Sequence, residues 1–167
     1  ASDLIGRSGK EELARKLYKE IRATDGVISA IDMMLHDYGP DSYSGSVNIE
    51  IDHKRSIGEV YEEIHRLQLR IMEEYHVTMV FGIYAVDEDT VAIVDIRRYI
   101  GKFVRVNEHV KSFHALYLSK ETGTLYCDLI VDYALRDWEE LRESFGEYMK
   151  KQYPEYEISL TIETEFV

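Results

Sequence analysis

The sequence predicts an α+β fold of two tandem ferredoxin-like modules, each ordered α-β-β-α-β with helices on one face of an antiparallel sheet. Three observations predict it. A helix-start signature followed by an apolar stripe occurs twice, 81 residues apart. Alternating strand patterns flank both of these helices, also in duplicate. Only two prolines occur among 167 residues, and 45% of the chain is hydrophobic, so an ordered, packed chain is expected.

In chain order, Ser8 and Glu11 read as a capping box before Leu13, Leu17 and Ile21, which carry a helical stripe. A strand follows over Val27–Met33. Gly39, Pro40 and Asp41 supply turn chemistry. Val47, Ile49 and Ile51 then alternate along a second strand, with Asn48 and Glu50 on its outer face. Ser56 and Glu59 form a second capping box, and Ile57, Val60, Ile64 and Leu67 form the stripe behind it. Val77, Met79 and Phe81 alternate along a third strand.

The second copy repeats this order. Ile93, Ile96, Ile100 and Phe103 have helical spacing after the acidic run Asp87–Asp89, although Thr90–Ile96 also reads as a strand. Val110–Leu116 matches Val27–Met33 at a shift of 83. Leu129, Val131 and Tyr133 match Val47, Ile49 and Ile51 at a shift of 82, after a turn at Glu121-Thr122-Gly123. Asp137 and Glu140 repeat the cap, and Trp138, Leu141, Phe145 and Tyr148 repeat the stripe. Ile158, Leu160 and Ile162 close the copy. The expected boundaries are 1–86 and 87–167.

Charge and composition narrow the function. The net charge of −12 argues against nucleic acid as a partner, because phosphate contacts need a basic footprint. Residues 1–23 run against this trend, with six basic and four acidic residues. Lys and Arg near a membrane span mark its cytoplasmic side. Cys127 is the single cysteine, so no disulfide forms within the chain, and its alternation with Leu125, Leu129 and Val131 places it on a core face. No apolar run approaches the ~20 residues of a membrane span. Gly-rich phosphate loops, G-x-S-x-G and H-E-x-x-H are all missing, so an enzyme is not expected.

Several ordered motifs together resemble the C-terminal cytoplasmic domain of cation diffusion facilitator (cation efflux) transporters. They are Asp3-Leu-Ile-Gly6, Gly26–Met33, His36-Asp-Tyr-Gly-Pro40 and Ser46–Ile51. The resemblance covers residues 3–86, and reaches 90–167 through the internal repeat. It implies a regulatory and dimerisation domain of a divalent-metal exporter, on the cytoplasmic side of the cell membrane. An absent membrane domain of the same protein would carry out proton-coupled export of Zn, Mn, Fe or a similar ion. The implied partners are that membrane domain and a second copy, or an intrachain pseudo-dimer, with no nucleic acid and no small-molecule substrate.

The family's zinc-ligand positions fall on Ile31, Asn48, Tyr61, Val80 and Gly82, none of them a His or carboxylate. His114 aligns with Ile31, and simple alternation puts it with Leu116 and Leu118 on the core face. His36 and Asp37, beside Asp41 at the hairpin end, are the candidate metal ligands, because imidazole with carboxylate suits Zn or Mn. The competing reading of those residues is turn chemistry, and the same holds for Asp52 and His53. His65 and His76 lack ligand spacing. The alternatives to the transporter domain are a free-standing small-ligand-binding pair of ferredoxin-like modules and an assembly module that binds nothing.

Overall fold

The computed structural model describes residues 2–164, with side chains from residue 9 onward. The elements are α1 (Ser2–Arg22), β1 (Val27–Asp37), β2 (Tyr43–Asp52), α2 (Ile57–Tyr75), β3 (Val77–Val86), α3 (Val91–Val106), β4 (Val110–Ser119), β5 (Thr124–Val131), α4 (Trp138–Gln152) and β6 (Glu157–Thr164). The chain divides into two compact units, one reaching Tyr84 and the other beginning at Ala85. Each has its own three-stranded sheet, ordered β1-β2-β3 and β4-β5-β6, and its own core. The fold is thus α+β and ferredoxin-like, with the α-β-β-α-β order present twice.

In unit 1, Leu17 and Ile21 of α1 and Leu67 and Ile71 of α2 are buried against Val47 and Ile49 of β2. In unit 2, Ile96 and Ile100 of α3 and Phe145 and Met149 of α4 are buried against Leu125 and Leu129. The helix caps form as the sequence predicts. Ser56 accepts the Glu59 amide at 3.2 Å, and Asp137 accepts the Glu140 amide at 2.9 Å. Cys127 lies buried on the core face.

Each sheet differs from expectation in one pairing. β1–β2 and β4–β5 are antiparallel hairpins, but β5 and β6 run parallel. In unit 1 the Tyr43 N–H donates to the His76 carbonyl, and β2 and β3 remain adjacent at Asn48 and Gly82, so they too run parallel. A helix joins these strands in each unit, and a strand–helix–strand crossover returns the chain in the same direction.

The two units share backbone irregularities. Asp32 and Ala115, 83 residues apart, both have φ of 57°. Each sits at a register shift, between Ile31 and Met34 in β1 and between His114 and Tyr117 in β4. These are β-bulges, and each turns the following side chains over. His114 therefore does not share the core face of Leu116 and Leu118: its ring lies 3.1 Å from Ser112 Oγ, two residues back on the other face.

The second-strand match also needs correcting. Ile31 pairs with Asn48 and His114 with Asp128, so β2 corresponds to β5 at a shift of 80 and not 82. Tyr133 lies beyond β5 and is exposed. The cause is the tighter second hairpin, which closes at Ser119–Thr124 where the first still pairs His36 with Ser44. A two-residue slip keeps every side chain on its predicted face, so alternation alone cannot detect it.

Three smaller expectations also change. Helix α1 runs through Ser8 from Ser2, so Ser8 does not cap it. A cap stabilises by only about 1 kcal/mol, which continued helix outweighs. The ambiguous stretch after Asp89 is helical, because Asp87 Oδ1 accepts the Asp89 and Thr90 amides and Arg97 reaches the Asp87 carbonyl. Ile57 and Trp138, the first residues of their stripes, stay exposed at the helix starts.

Candidate functional site

The chemistry-bearing residues of unit 2 gather on the sheet face turned away from its helices. Leu125, Cys127, Leu129 and Val131 fill the core side of β5, so Asp128 points to the other side. His114 is its direct neighbour on β4, and Thr161 its neighbour on β6. Glu163 stands two residues further along β6, opposite Ile130. His114 is half-buried and Asp128 is buried. An imidazole and two carboxylates on three adjacent strands form a donor set suited to a divalent cation. Their ligand atoms do not all lie within 4.8 Å of one another, so this is a face of donors and not a closed cage.

The equivalent positions of unit 1 are Ile31, Asn48 and Gly82. Here an amide and a hydroxyl donate to carboxylates on this face. Asn48 Nδ2 donates to Asp32 Oδ2 at 3.4 Å, and Ser29 Oγ donates to Glu50. A Cβ at Gly82 would overlap the Asn48 side chain, so the missing side chain makes room for that amide. Tyr61 stands apart on α2, stacked on His65 at 5.9 Å, and Val80 is exposed. Neither the Ile31 nor the Tyr61 position offers a metal donor here.

His36 and Asp37 end β1 as successive strand residues, so their side chains leave opposite faces. Both are exposed, and Asp37 lies 3.0 Å from Lys10 Nζ. Asp41 sits in the turn with φ of 57°. Asp52 accepts the Lys54 amide at 2.8 Å, and His76 caps α2 in a left-handed conformation. Asp41, Asp52 and His76 thus have turn and cap roles, while His36 and Asp37 stand at the end of strand β1.

Sequence reasoning missed two features of unit 2. Asp128 was hidden by the two-residue slip, which put Ile130 opposite His114. The compact turn Lys120–Gly123, with Gly123 at φ of 69°, was the signal that could have found it. The second is a clasp between the α3–β4 turn and the β5–α4 loop. His109 Nδ1 lies 3.1 Å from both Asp132 oxygens, with Lys111 at 3.6 Å. The His109 hydrogen bond, helped by the Ala134 amide and Lys111, holds the Asp132 carboxyl below its ordinary range. Beside this clasp lies a cavity of about 200 Å3 lined by Asn107, Leu135, Asp137, Glu140, Leu141 and Ser144.

No protein-family profile matches the chain, and no curated protein matches it. Solved structures of the MamM C-terminal domain do. A doubly substituted variant is 13% identical with a TM-score of 0.43, over 48% of this chain and 98% of that one. A zinc form of another variant is 15% identical with a TM-score of 0.43, over 50% and 93%. A copper form is 12% identical with a TM-score of 0.42, over 47% and 99%. About half of this chain thus spans nearly the whole of each such domain. Among the described residues, no helix is long and apolar enough to cross a membrane.

Proposed function

We propose that this chain is the regulatory and dimerisation domain of a divalent-metal efflux transporter, lying on the cytoplasmic side of the membrane. The observation that carries this reading is the placement of the ordered motifs. Asp3–Gly6 falls on α1, Gly26–Met33 leads into and along β1, His36–Pro40 enters the hairpin, and Ser46–Ile51 lies on β2. They occupy successive elements of one module in the order the family uses. The domain performs no catalysis; its membrane part exports the ion against protons, with Zn, Mn or Fe as cargo.

Cation sensing is assigned to unit 2. His114, Asp128 and Glu163 supply an imidazole and two carboxylates where unit 1 has Ile31, Asn48 and Gly82. His36 and Asp37 remain a second, outlying candidate pair for Zn or Mn. A cation drawn to the acidic face would bias the domain only by binding two of its arrangements unequally. Homodimers and an intrachain pseudo-dimer both fit this scheme.

Calorimetric titration with Zn and Mn, paired with small-angle scattering, tests the reading; nickel and copper are useful additional probes. Heat and a change in radius are expected, both lost in His114→Ala and Asp128→Asn and kept in His36→Ala. Absence of both signals with every ion would sink the sensing role. The cavity beside Asn107 and Leu135 supports a second reading, a small-ligand-binding module, and native mass spectrometry showing a co-purified small molecule would favour it.

A further inference from the structure

We propose that the outer faces of α1 and α3 carry a repeated basic triad that docks the protein onto an anionic lipid surface. On α1 the triad is Arg15, Lys19 and Arg22, and on α3 it is Arg98, Lys102 and Arg105. Every member is displaced by 83 residues from its counterpart, and Arg, Lys and Arg keep their order. The spacing i, i+4, i+7 lines the three cations along one ridge about 10 Å long. All six residues are exposed. The opposite sides of the helices hold Leu17 and Ile21, and Ile96 and Ile100, in the cores.

The fold itself does not require this ridge. Among the described residues, Arg15, Lys19, Lys102 and Arg105 have no ion-pair partner, and Arg98 reaches only the exposed Asp95 at 3.7 Å. Arg22 alone has a structural task, donating to the Ala30 carbonyl at 3.4 Å over the Tyr18 ring. Exposed neighbours changed freely between the copies: Glu11 corresponds to Val94, and Ala23 to Val106. A merely solvated face would tolerate either sign of charge. Retaining three cations in both copies is unexpected in a chain with 20 basic and 32 acidic residues.

A flat anionic surface fits better than a nucleic acid. Such a surface meets one ridge, while acidic groups more than about 8 Å away are screened at physiological salt. A polyanionic strand needs a continuous basic track, and the remaining surface is strongly acidic. Val91 and Val106, 81% and 80% exposed at the two ends of α3, add apolar contacts suited to the headgroup boundary. Each cation near such a surface strengthens partitioning about fivefold, so one engaged triad gives about a hundredfold.

This inference goes beyond the transporter reading and does not rest on it, since the test uses the 167-residue chain alone. The chain is sedimented with phosphatidylcholine vesicles with and without phosphatidylserine, at low and high salt. Binding is expected only with phosphatidylserine and only at low salt. Reversing Arg98, Lys102 and Arg105 to Glu together with Arg15→Glu and Lys19→Glu, which spares Arg22, should cut partitioning at least about a hundredfold. Either set alone leaves the other ridge to dock and should cut it only about twofold. Circular dichroism checks that the variants stay folded. Equal binding to neutral vesicles, no change in the combined variant, or an equal loss from reversing Lys150 and Lys151 on α4 would overturn the proposal. So would binding to duplex DNA without binding to vesicles.

Discussion

Replacing Tyr99 and Tyr148 by Phe should loosen unit 2 without opening a cavity in it. The two rings stack at 4.0 Å between α3 and α4, and each hydroxyl donates to the other residue's carbonyl, at 2.5 and 2.6 Å. Those carbonyls also serve the helical ladder, so removing a hydroxyl leaves no acceptor stranded. The loss is then the net value of one hydrogen bond, about 1 kcal/mol for each substitution. Stacking and apolar burial survive in Phe. The double variant should lose about 2 kcal/mol, or a drop in Tm on the order of 10 °C for a unit of this size. Both bonds depend on one ring geometry, so a double-mutant cycle should show coupling of about 0.5 kcal/mol or more. Urea denaturation of the four proteins, at low and high salt, provides the measurement. The tyrosine pair is uncharged, so its contribution should not change with salt. A double variant as stable as the parent, or a loss that salt erases, would refute the idea that these hydroxyls join the helices.

Further outcomes follow from other contacts. Gly26→Ala should destabilise unit 1 by about 1–2 kcal/mol, because φ is 85° and the new Cβ would overlap the Arg55 guanidinium. Gly146→Ala, inside α4 with open space around it, should instead stabilise by about 1 kcal/mol in the same denaturation assay. Arg70→Gln breaks the 2.6 Å pair with Glu20 and should cost under about 1 kcal/mol, a loss that vanishes in high salt. Asp132 has a depressed carboxyl pKa in the folded state, so its stabilisation is complete above its unfolded pKa and disappears as pH falls through the folded value. Asp132→Asn should accordingly flatten the acid limb of the stability curve. Tyr148 and Tyr153 have hydroxyl pKa values pushed up by burial, so ultraviolet titration should find them ionising above 10.0, with stability falling as they do.

Much of the fold was legible because its signals are local and periodic. Ser56 with Glu59 and Asp137 with Glu140 announce helix starts through single hydrogen bonds, and those bonds form. Val77, Met79 and Phe81 alternate because one face of β3 packs on a core. The errors lie where a local pattern carries no long-range information. Nothing in an alternating strand tells a pairing from its two-residue slip, so Asp128 and His114 were not seen as neighbours. The bulge at Ala115 was also silent in sequence, because a non-glycine residue gives no warning of a positive φ. That single bulge moved His114 from the core face to the donor face. The candidate site was therefore readable as residue types and unreadable as an arrangement.

The two units share an element order and matching bulges but differ in how they are fastened. The same pair of loops is joined in unit 1 by Arg55, which donates to the Asp25 carbonyl at 3.2 Å over Gly26. In unit 2 it is joined by His109 and Asp132, which stand at the positions of Gly26 and Asp52. Between the helices, unit 1 uses the charged pair Glu20–Arg70 and unit 2 the neutral tyrosine stack. Each unit needs only one working fastening at each seam, so the fastening residues differ as pairs, while the bulges and the caps of α2 and α4, which fix strand direction and helix entry, are common to both. The sheet faces differ in the same way: one unit carries His114 and Asp128 where the other has Ile31 and Asn48. What the copies retain in common on their outer surfaces is then more informative than what either carries alone. Apart from Arg22, the Arg-Lys-Arg ridges of the two units hold no seam of the fold, which is why their common spacing points to a surface that they meet.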